Sequence, residues 1–163
     1  EWLVKLIKLL VHVLLSTAAA VWFMKCVKLG DGVELLNASF IASLCLNWFI
    51  DYLGHKGRYR APTTHEPINA SAVSALVAVV VGALFLYDVK SYVAVFVACG
   101  ITYITHLALD LASGGIYVRN GSSFERVRIA KPSRRTYDAL NSVVLALSVV
   151  MTAMYLLSSW FQL

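Results

Sequence analysis

Histidines and neighbouring carboxylates are the residues of this 163-residue chain with the greatest potential for chemistry. The four histidines are His12, His55, His65 and His106. Two of them have an aspartate four residues away, in the segments Asp51 to His55 and His106 to Asp110. On a helix, this spacing places an imidazole and a carboxylate on one face, one turn apart. Both groups of such a pair can then bind a single metal ion.

Imidazole nitrogen and carboxylate oxygen together form a ligand set that zinc accepts, and manganese or iron accepts it as well. Mixed sites of this kind often keep one position open for water, which becomes a nucleophile near neutral pH when a metal binds it. The pairs therefore predict a divalent metal site, with zinc as the first choice, and hydrolysis as its chemistry. The alternative is that each pair is only a hydrogen bond within its helix, or part of a proton relay.

The composition places these residues in a membrane protein. The chain is 60% hydrophobic and 14% charged, with a mean hydropathy of +0.73, whereas soluble domains are roughly half apolar and about a quarter charged. Apolar windows close to the roughly 20 residues that span a bilayer fall at 2–24, 35–53, 70–88, 91–112 and 139–161. We therefore predict an all-α integral membrane protein, a bundle of about five transmembrane helices forming a single membrane domain over residues 1–163.

The basic residues predict an orientation for this bundle. Five spans place the N-terminus and both long polar loops, 54–69 and 113–138, on the same side of the membrane. Eleven lysines and arginines fall on that side, against three on the other, and the eleven are Lys5, Lys8, Lys56, Arg58, Arg60, Arg119, Arg126, Arg128, Lys131, Arg134 and Arg135. Because cytoplasmic loops carry such an excess, the N-terminus and both loops are predicted to be cytoplasmic, in an inner or plasma membrane.

The same charge distribution indicates which partners the protein is expected to bind. The net charge of +5 reflects this loop bias, so no nucleic acid partner is expected. The expected partners are the lipid bilayer and its anionic headgroups, which attract basic loops.

Polar residues recur on one face of three predicted spans. These stripes are Lys5, Lys8, His12 and Ser16 in the first span, Asn47, Asp51 and His55 in the second, and Tyr103, His106, Asp110 and Ser113 in the fourth. Lipid would reject such stripes, so they are expected to face one another near the cytoplasmic side.

The stripes and the loop histidine together predict a site at the cytoplasmic rim of the bundle. The candidate metal ligands are His12, Asp51, His55, His65, His106 and Asp110. Asp51, as ligand or general base, and His65 are the candidate catalytic residues. Asn47 and Tyr103 are candidates for orienting the ligands from behind.

The loop between the second and third windows has a composition that suits an anion. Arg58 and Arg60 could bind an anionic substrate, because the guanidinium fork matches phosphate oxygens. The alternative is that these arginines only set the membrane topology. Since the site would open at headgroup depth, a lipid or another phosphoester is the candidate substrate.

The order of these motifs resembles the YdjM-like family of inner-membrane, metal-dependent hydrolases. The matching elements are His12, the pair Asp51 to His55, the loop segment Arg60 to His65, and the pair His106 to Asp110 followed by Ser-Gly-Gly. The resemblance runs through the first four spans and implies a metal-dependent hydrolase without fixing its substrate. The chain departs from the family pattern in three ways. No histidine precedes Thr64, Glu66 replaces a serine, and Tyr52 stands where many members carry a second acid.

Three other classes of protein remain open at this point. In a proton- or metal-coupled transporter, the same histidines and aspartates would be relay sites. A non-catalytic membrane scaffold would use the metal to tie a loop to its helices. A haem-binding bundle would use two histidines as axial ligands, although carboxylates one turn away fit that reading poorly.

Overall fold

The computed structural model describes residues 2–30, 32–56, 59–84 and 89–161, with the backbone alone at 2–5, 55, 56, 59 and 60. Five helices make up most of these residues: α1 (Trp2–Cys26), α2 (Val33–Gly54), α4 (Pro67–Ala83), α5 (Val89–Ser113) and α6 (Arg134–Trp160). Between α2 and α4 lie β1 (His55–Lys56), β2 (Tyr59–Arg60) and the short helix α3 (Pro62–His65). Between α5 and α6 lie β3 (Ile116–Asn120) and β4 (Ser123–Val127).

Within the described residues, four helices are long and apolar enough to cross a membrane: Leu6–Cys26, Val33–Gly54, Val89–Ser113 and Arg134–Trp160. The fifth apolar helix, α4, is shorter, with 17 residues. Hydrocarbon offers no partner for backbone N–H and C=O groups, so an apolar segment of this length satisfies them within a helix. The prediction of an all-α membrane bundle is confirmed, and the chain is a multi-pass membrane protein.

The helices α1, α2 and α5 form the centre of the bundle, α4 packs against α5 and α2, and α6 packs against α1. Small side chains dominate the buried centre, including Ala38, Ala42, Ala94 and Ala98. Because lipid tails are as apolar as leucine, association of membrane helices depends on such small residues, which let the backbones approach closely. This packing fixes the rotation of each helix and hence the direction of its polar stripe.

The end of the bundle where α1 finishes is held by contacts from α6. The Trp22 indole donates to the Met151 carbonyl at 2.9 Å, and Lys25 donates to the Ser158 hydroxyl at 2.6 Å. Only 11% of the apolar window of α6 is buried within the bundle. Most of this helix therefore faces lipid.

The helix boundaries follow local sequence signals and differ in places from the predicted windows. Glu66 caps α4 by accepting from the Asn69 N–H at 2.8 Å, and Pro67 occupies the first helical position, where its missing N–H costs nothing. Ser133 caps α6 by accepting from the Thr136 N–H at 3.2 Å. This cap starts α6 at Arg134, within the predicted loop 113–138, before the predicted window at 139.

The long loops contain short hairpins that the sequence analysis did not predict. In the first loop, His55 pairs with Arg60 and Lys56 with Tyr59. In the second, β3 and β4 pair antiparallel with a two-residue connection between Asn120 and Ser123. The strand β3 contacts α3, α4 and α5. Both polar loops therefore lie at the end of the bundle where α2 and α5 finish.

Candidate metal centre

Four elements bring histidines and aspartates together at one end of the bundle. The last turns of α2 supply Asp51, the last turns of α5 supply His106 and Asp110, and α3 supplies His65. The helix α1 adds His12, whose ring centroid lies 4.4 Å from that of His106. Residues from distant parts of the sequence thus share one small volume.

His65 reaches this cluster because α3 turns the loop back onto the end of α2. The Ala61 N–H donates to the Gly54 carbonyl at 2.7 Å, which anchors the loop directly before α3. The His65 side chain is fully buried, and its Nδ1 lies 2.9 Å from the Thr64 hydroxyl. Gly54 lies against this ring, and an added Cβ there would fall 2.7 Å from His65 Nδ1. The missing side chain of Gly54 therefore makes room for a histidine.

The Nε2 atoms of two histidines point at one carboxylate. His65 Nε2 lies 3.1 Å from Asp110 Oδ2, and His106 Nε2 lies 3.4 Å from the same oxygen. Asp51 Oδ1 lies 3.9 Å from His106 Nε2. One ligand atom each from Asp51, His65 and His106 lies within 4.8 Å of the other two. These residues form a His/His/Asp group that could bind a metal ion.

The hydrogen bonds of Asn47 decide which nitrogen of His106 carries a proton. The Asn47 amide nitrogen donates to the Ser43 carbonyl at 2.8 Å. The amide oxygen is therefore the atom that faces His106. That oxygen lies 2.7 Å from His106 Nδ1, and because it can only accept, Nδ1 must be the donor. In a neutral ring, His106 Nε2 then presents its lone pair to Asp51 and Asp110. This is the orientation a metal ligand needs.

The charges of the cluster favour a cation. The Asp110 side chain is only 2% exposed, and the Asp51 side chain is 34% exposed. Two carboxylates around one imidazole in a water-poor site repel one another, and buried charges of this kind need a partner of opposite charge or a metal ion. A divalent metal would neutralise both carboxylates and accept a lone pair from each imidazole in its neutral form. Ligand atoms around zinc are roughly 3.3 Å apart in a tetrahedral site; Asp110 Oδ2 lies 3.1 and 3.4 Å from the two imidazole nitrogens, and Asp51 Oδ1 lies farther, 3.9 Å from His106 Nε2.

One helical turn deeper, hydroxyl pairs tie the ligand-bearing helices together. Ser43 on α2 and Thr102 on α5 lie 2.9 Å apart. Ser16 on α1 and Thr105 on α5 lie 2.7 Å apart. All four hydroxyls belong to the apolar spans, where a hydroxyl without a hydrogen-bond partner would be exposed to hydrocarbon at a cost in free energy. These pairs hold α1, α2 and α5 at the rotation that points the stripes inwards.

The remaining predicted site residues fall outside this group or outside the described part of the chain. The Tyr103 hydroxyl donates to the Pro67 carbonyl at 2.9 Å, at the corner between α3 and α4. It thus donates to the segment that follows His65 and, among the described residues, to no candidate ligand. Arg58 lies outside the described residues, as do the side chains of His55 and Arg60. Their roles stay predictions.

The sequence analysis did not identify Gly54 or Thr64 as part of the site. Thr64 carries a hydroxyl, but no nucleophile motif such as G-x-S-x-G surrounds it in the sequence. In the structure this hydroxyl contacts the neighbouring His65. A glycine at the end of a helix normally suggests only a cap. No signal in the sequence identifies it as the residue that accommodates an imidazole.

The contact between Asn47 and His106 gives a first prediction. Replacing Asn47 by alanine removes the acceptor that fixes the His106 ring, and such changes behind a ligand weaken metal binding by roughly 10- to 100-fold. Competition with a chelator, in detergent or nanodiscs, measures this affinity. Asn37→Ala, at an exposed asparagine of the same helix, is the matched control and should leave the affinity unchanged. Equal affinities for all three proteins would contradict the role of Asn47.

No family model, no curated protein and no solved structure significantly matches this chain.

Proposed function

We propose that this chain is a membrane-embedded, metal-dependent hydrolase. The observation that carries the proposal is the group formed by Asp51, His65 and His106, whose ligand atoms lie within 4.8 Å of one another. Asp110 joins them at 3.1 Å from His65 Nε2. Imidazoles combined with a carboxylate are a donor set of hydrolytic zinc sites, and zinc is the proposed metal, with manganese or iron as alternatives.

The proposed roles follow from burial and distance. His65, His106 and Asp110 are the buried members and would hold the metal. Asp51 is the partly exposed member, and its carboxylate lies 3.9 Å from His106 Nε2, farther than the 3.4 Å of Asp110. Asp51 would either bind the metal on the side that faces the substrate or act as the general base. The metal would supply activation of water and stabilisation of negative charge on the substrate.

The site lies at an end of helices that face lipid, which favours a lipid or another phosphoester as the substrate. The excess of lysine and arginine on this side supports a cytoplasmic location. Arg58 and Arg60 belong to the adjacent loop and are proposed to bind the anionic part of the substrate. The order of motifs resembling the YdjM-like hydrolases supports the same reaction class, and we propose this relationship as part of the function.

A structural metal is the second candidate, and one observation favours it. The candidate ligands come from α2, α3 and α5, so a metal would tie the first loop to two spans. In a non-catalytic scaffold this bond would stabilise the fold, and removal of the metal would lower the melting temperature. The two candidates agree on the metal and differ only in turnover.

Asp51→Asn tests catalysis, and the metal content of each sample is measured beside turnover because Asp51 is also a candidate ligand. Turnover lost with the metal retained identifies the general base, and loss of both identifies a ligand. Wild-type protein in nanodiscs, loaded with zinc or manganese, is assayed with an activated phosphodiester and with fluorogenic phospholipids. We expect metal-dependent turnover that Asp51→Asn reduces by roughly 100-fold or more, in the range that general base catalysis contributes. Glu34→Gln, at an exposed glutamate of α2, is the control for the lost charge. If folded, metal-loaded wild-type protein turned over none of these substrates, the structural role would replace the hydrolase.

A further inference from the structure

A cleft of about 260 Å³ lies between the N-terminal parts of α1 and α6. It is lined by polar and apolar side chains, with Lys8, Arg134, Asp138 and Asn141 on the polar part and Ile7 and Leu145 on the apolar part. Lys8 lies four residues, about one helical turn, before His12. The cleft therefore opens at the same end of the bundle as the histidine cluster, outside the candidate metal centre.

The charged side chains of the cleft interact only weakly with one another. The Lys8 ammonium lies 4.7 Å from the centre of the Tyr137 ring, a distance typical of a cation–π contact. Arg134 Nε lies 4.0 Å from Asp138 Oδ2, and these side chains are 88% and 59% exposed. Exposed pairs of this kind contribute little stability, so both groups can exchange partners at low cost. The cleft thus offers two cations and one carboxylate to a ligand.

Lipid is the molecule that surrounds this cleft. Only 11% of the apolar window of α6 is buried within the bundle. Large apolar side chains of the same helix, including Leu140, Val143 and Leu147, are 40%, 56% and 56% exposed. In a membrane these side chains contact acyl chains, while the first turns of α6, with Arg134 and Asp138, reach headgroup depth. The cleft therefore crosses the boundary between the headgroup and the acyl chains.

We propose that this cleft binds a glycerophospholipid with a primary amine in its headgroup, of the phosphatidylethanolamine class. The phosphate lies between Lys8 and Arg134, and Asn141 can donate to one of its oxygens. The ammonium group donates to Asp138, and an acyl chain follows Ile7 and Leu145. A purely anionic headgroup would meet the Asp138 carboxylate, and a quaternary amine could not donate a hydrogen bond to it.

The proposal does not depend on hydrolysis. It concerns binding, which needs neither metal nor turnover, so its failure is distinguishable from failure of the proposed enzyme activity. If both hold, a bound lipid would present its phosphate about one turn of α1 from His12.

Native mass spectrometry of the protein as purified, titrated with dioleoyl phosphatidylethanolamine, phosphatidylcholine or phosphatidylglycerol, tests the proposal. We expect the ethanolamine lipid to bind most tightly. Lys8→Gln and Arg134→Gln should each weaken binding of all three lipids by roughly 5-fold or more, since each removes a charge-assisted hydrogen bond to phosphate. Lys8→Arg should retain binding. Asp138→Asn should weaken only the ethanolamine lipid and so remove its advantage over phosphatidylcholine.

Matched controls separate the cleft from general attraction to a basic surface. Arg135 neighbours Arg134 but is not among the described residues that line the cleft, and Arg135→Gln should leave lipid binding unchanged. Glu125→Gln, at an exposed carboxylate of β4, controls for Asp138→Asn. Equal losses in Arg134→Gln and Arg135→Gln would overturn the proposal, as would an unchanged ranking of the lipids in Asp138→Asn. Absence of any retained lipid on the folded wild-type protein would also overturn it.

Discussion

The His106→Gln variant should bind a divalent metal far more weakly than the wild-type protein. His106 contributes Nε2 to the cluster, and Asn47 holds its ring in the tautomer that a ligand needs. Because the change removes a metal–nitrogen bond, its effect should exceed the roughly 10- to 100-fold loss that follows changes behind a ligand. Equilibrium competition with a chelator measures the loss. His65→Gln should behave in the same way, since its Nε2 belongs to the same group.

His12→Gln is the matched control for these two variants. The His12 ring lies 4.4 Å from that of His106, but among the described residues it is not part of the group whose ligand atoms converge. It should therefore keep most of the metal affinity. Loss in His12→Gln equal to that in His106→Gln would make His12 a ligand, in agreement with its place in the sequence prediction. Full retention of metal in both His106→Gln and His65→Gln would contradict the site.

Gly54→Ala should destabilise the protein and weaken the metal site together. An alanine Cβ at this position would overlap the Thr64 hydroxyl and the His65 ring. Overpacking of this kind costs about 1–3 kcal/mol of the free energy of unfolding. It would also push His65 out of reach of Asp110, so the metal affinity should fall with it. Thermal unfolding and chelator competition on the same sample measure the two effects.

Gly100→Ala tests whether this effect is specific to the site. Gly100 lies in the middle of α5, and no atom of the described residues that could clash lies within 4 Å of a Cβ added there. Alanine is the better helix former by up to about 1 kcal/mol, so this variant should unfold at the same temperature or higher. If Gly54→Ala matched Gly100→Ala in both measurements, the close packing of Gly54 against His65 would be unimportant.

Much of the fold could be predicted because hydrocarbon imposes a simple rule. An apolar segment of about 20 residues must form a helix in a bilayer, and the five apolar windows coincide with α1, α2, α4, α5 and α6. The residues at which the helices begin and end could be predicted less well. Ser133 starts α6 earlier than its hydropathy suggests, because the cap is a local hydrogen bond that a hydropathy window does not detect.

The sequence contains a signal for the hairpin of β3 and β4 that a hydropathy window does not detect. Residues 116–120 and 123–127 contain β-branched and aromatic residues, and Gly121-Ser122 lies between them. Gly121 has a φ of +60° at the first of the two loop positions. Glycine at that position followed by serine is typical of a two-residue hairpin loop.

For the site, the sequence predicts which residues share a helix face but not how the faces pack against one another. The four-residue spacing of Asn47 and Asp51, and of His106 and Asp110, places each pair on one face. Which face meets which depends on how small residues let the helices approach, and this is a property of the packed bundle. Lys8 illustrates the limit, because it shares a predicted stripe with His12 but lies over Tyr137 of α6.

The metal content of the purified wild-type protein tests the central claim most directly. Mass spectrometry of metal against protein concentration, after purification without chelators and after incubation with zinc or manganese, gives the stoichiometry. We predict a stoichiometric amount of divalent metal, retained through dialysis because the ligand atoms of Asp51, His65 and His106 lie within 4.8 Å of one another and Asp110 lies beside both histidines. A folded protein that carries no metal, and that takes up neither zinc nor manganese, would contradict the account and favour a proton relay formed by the same residues.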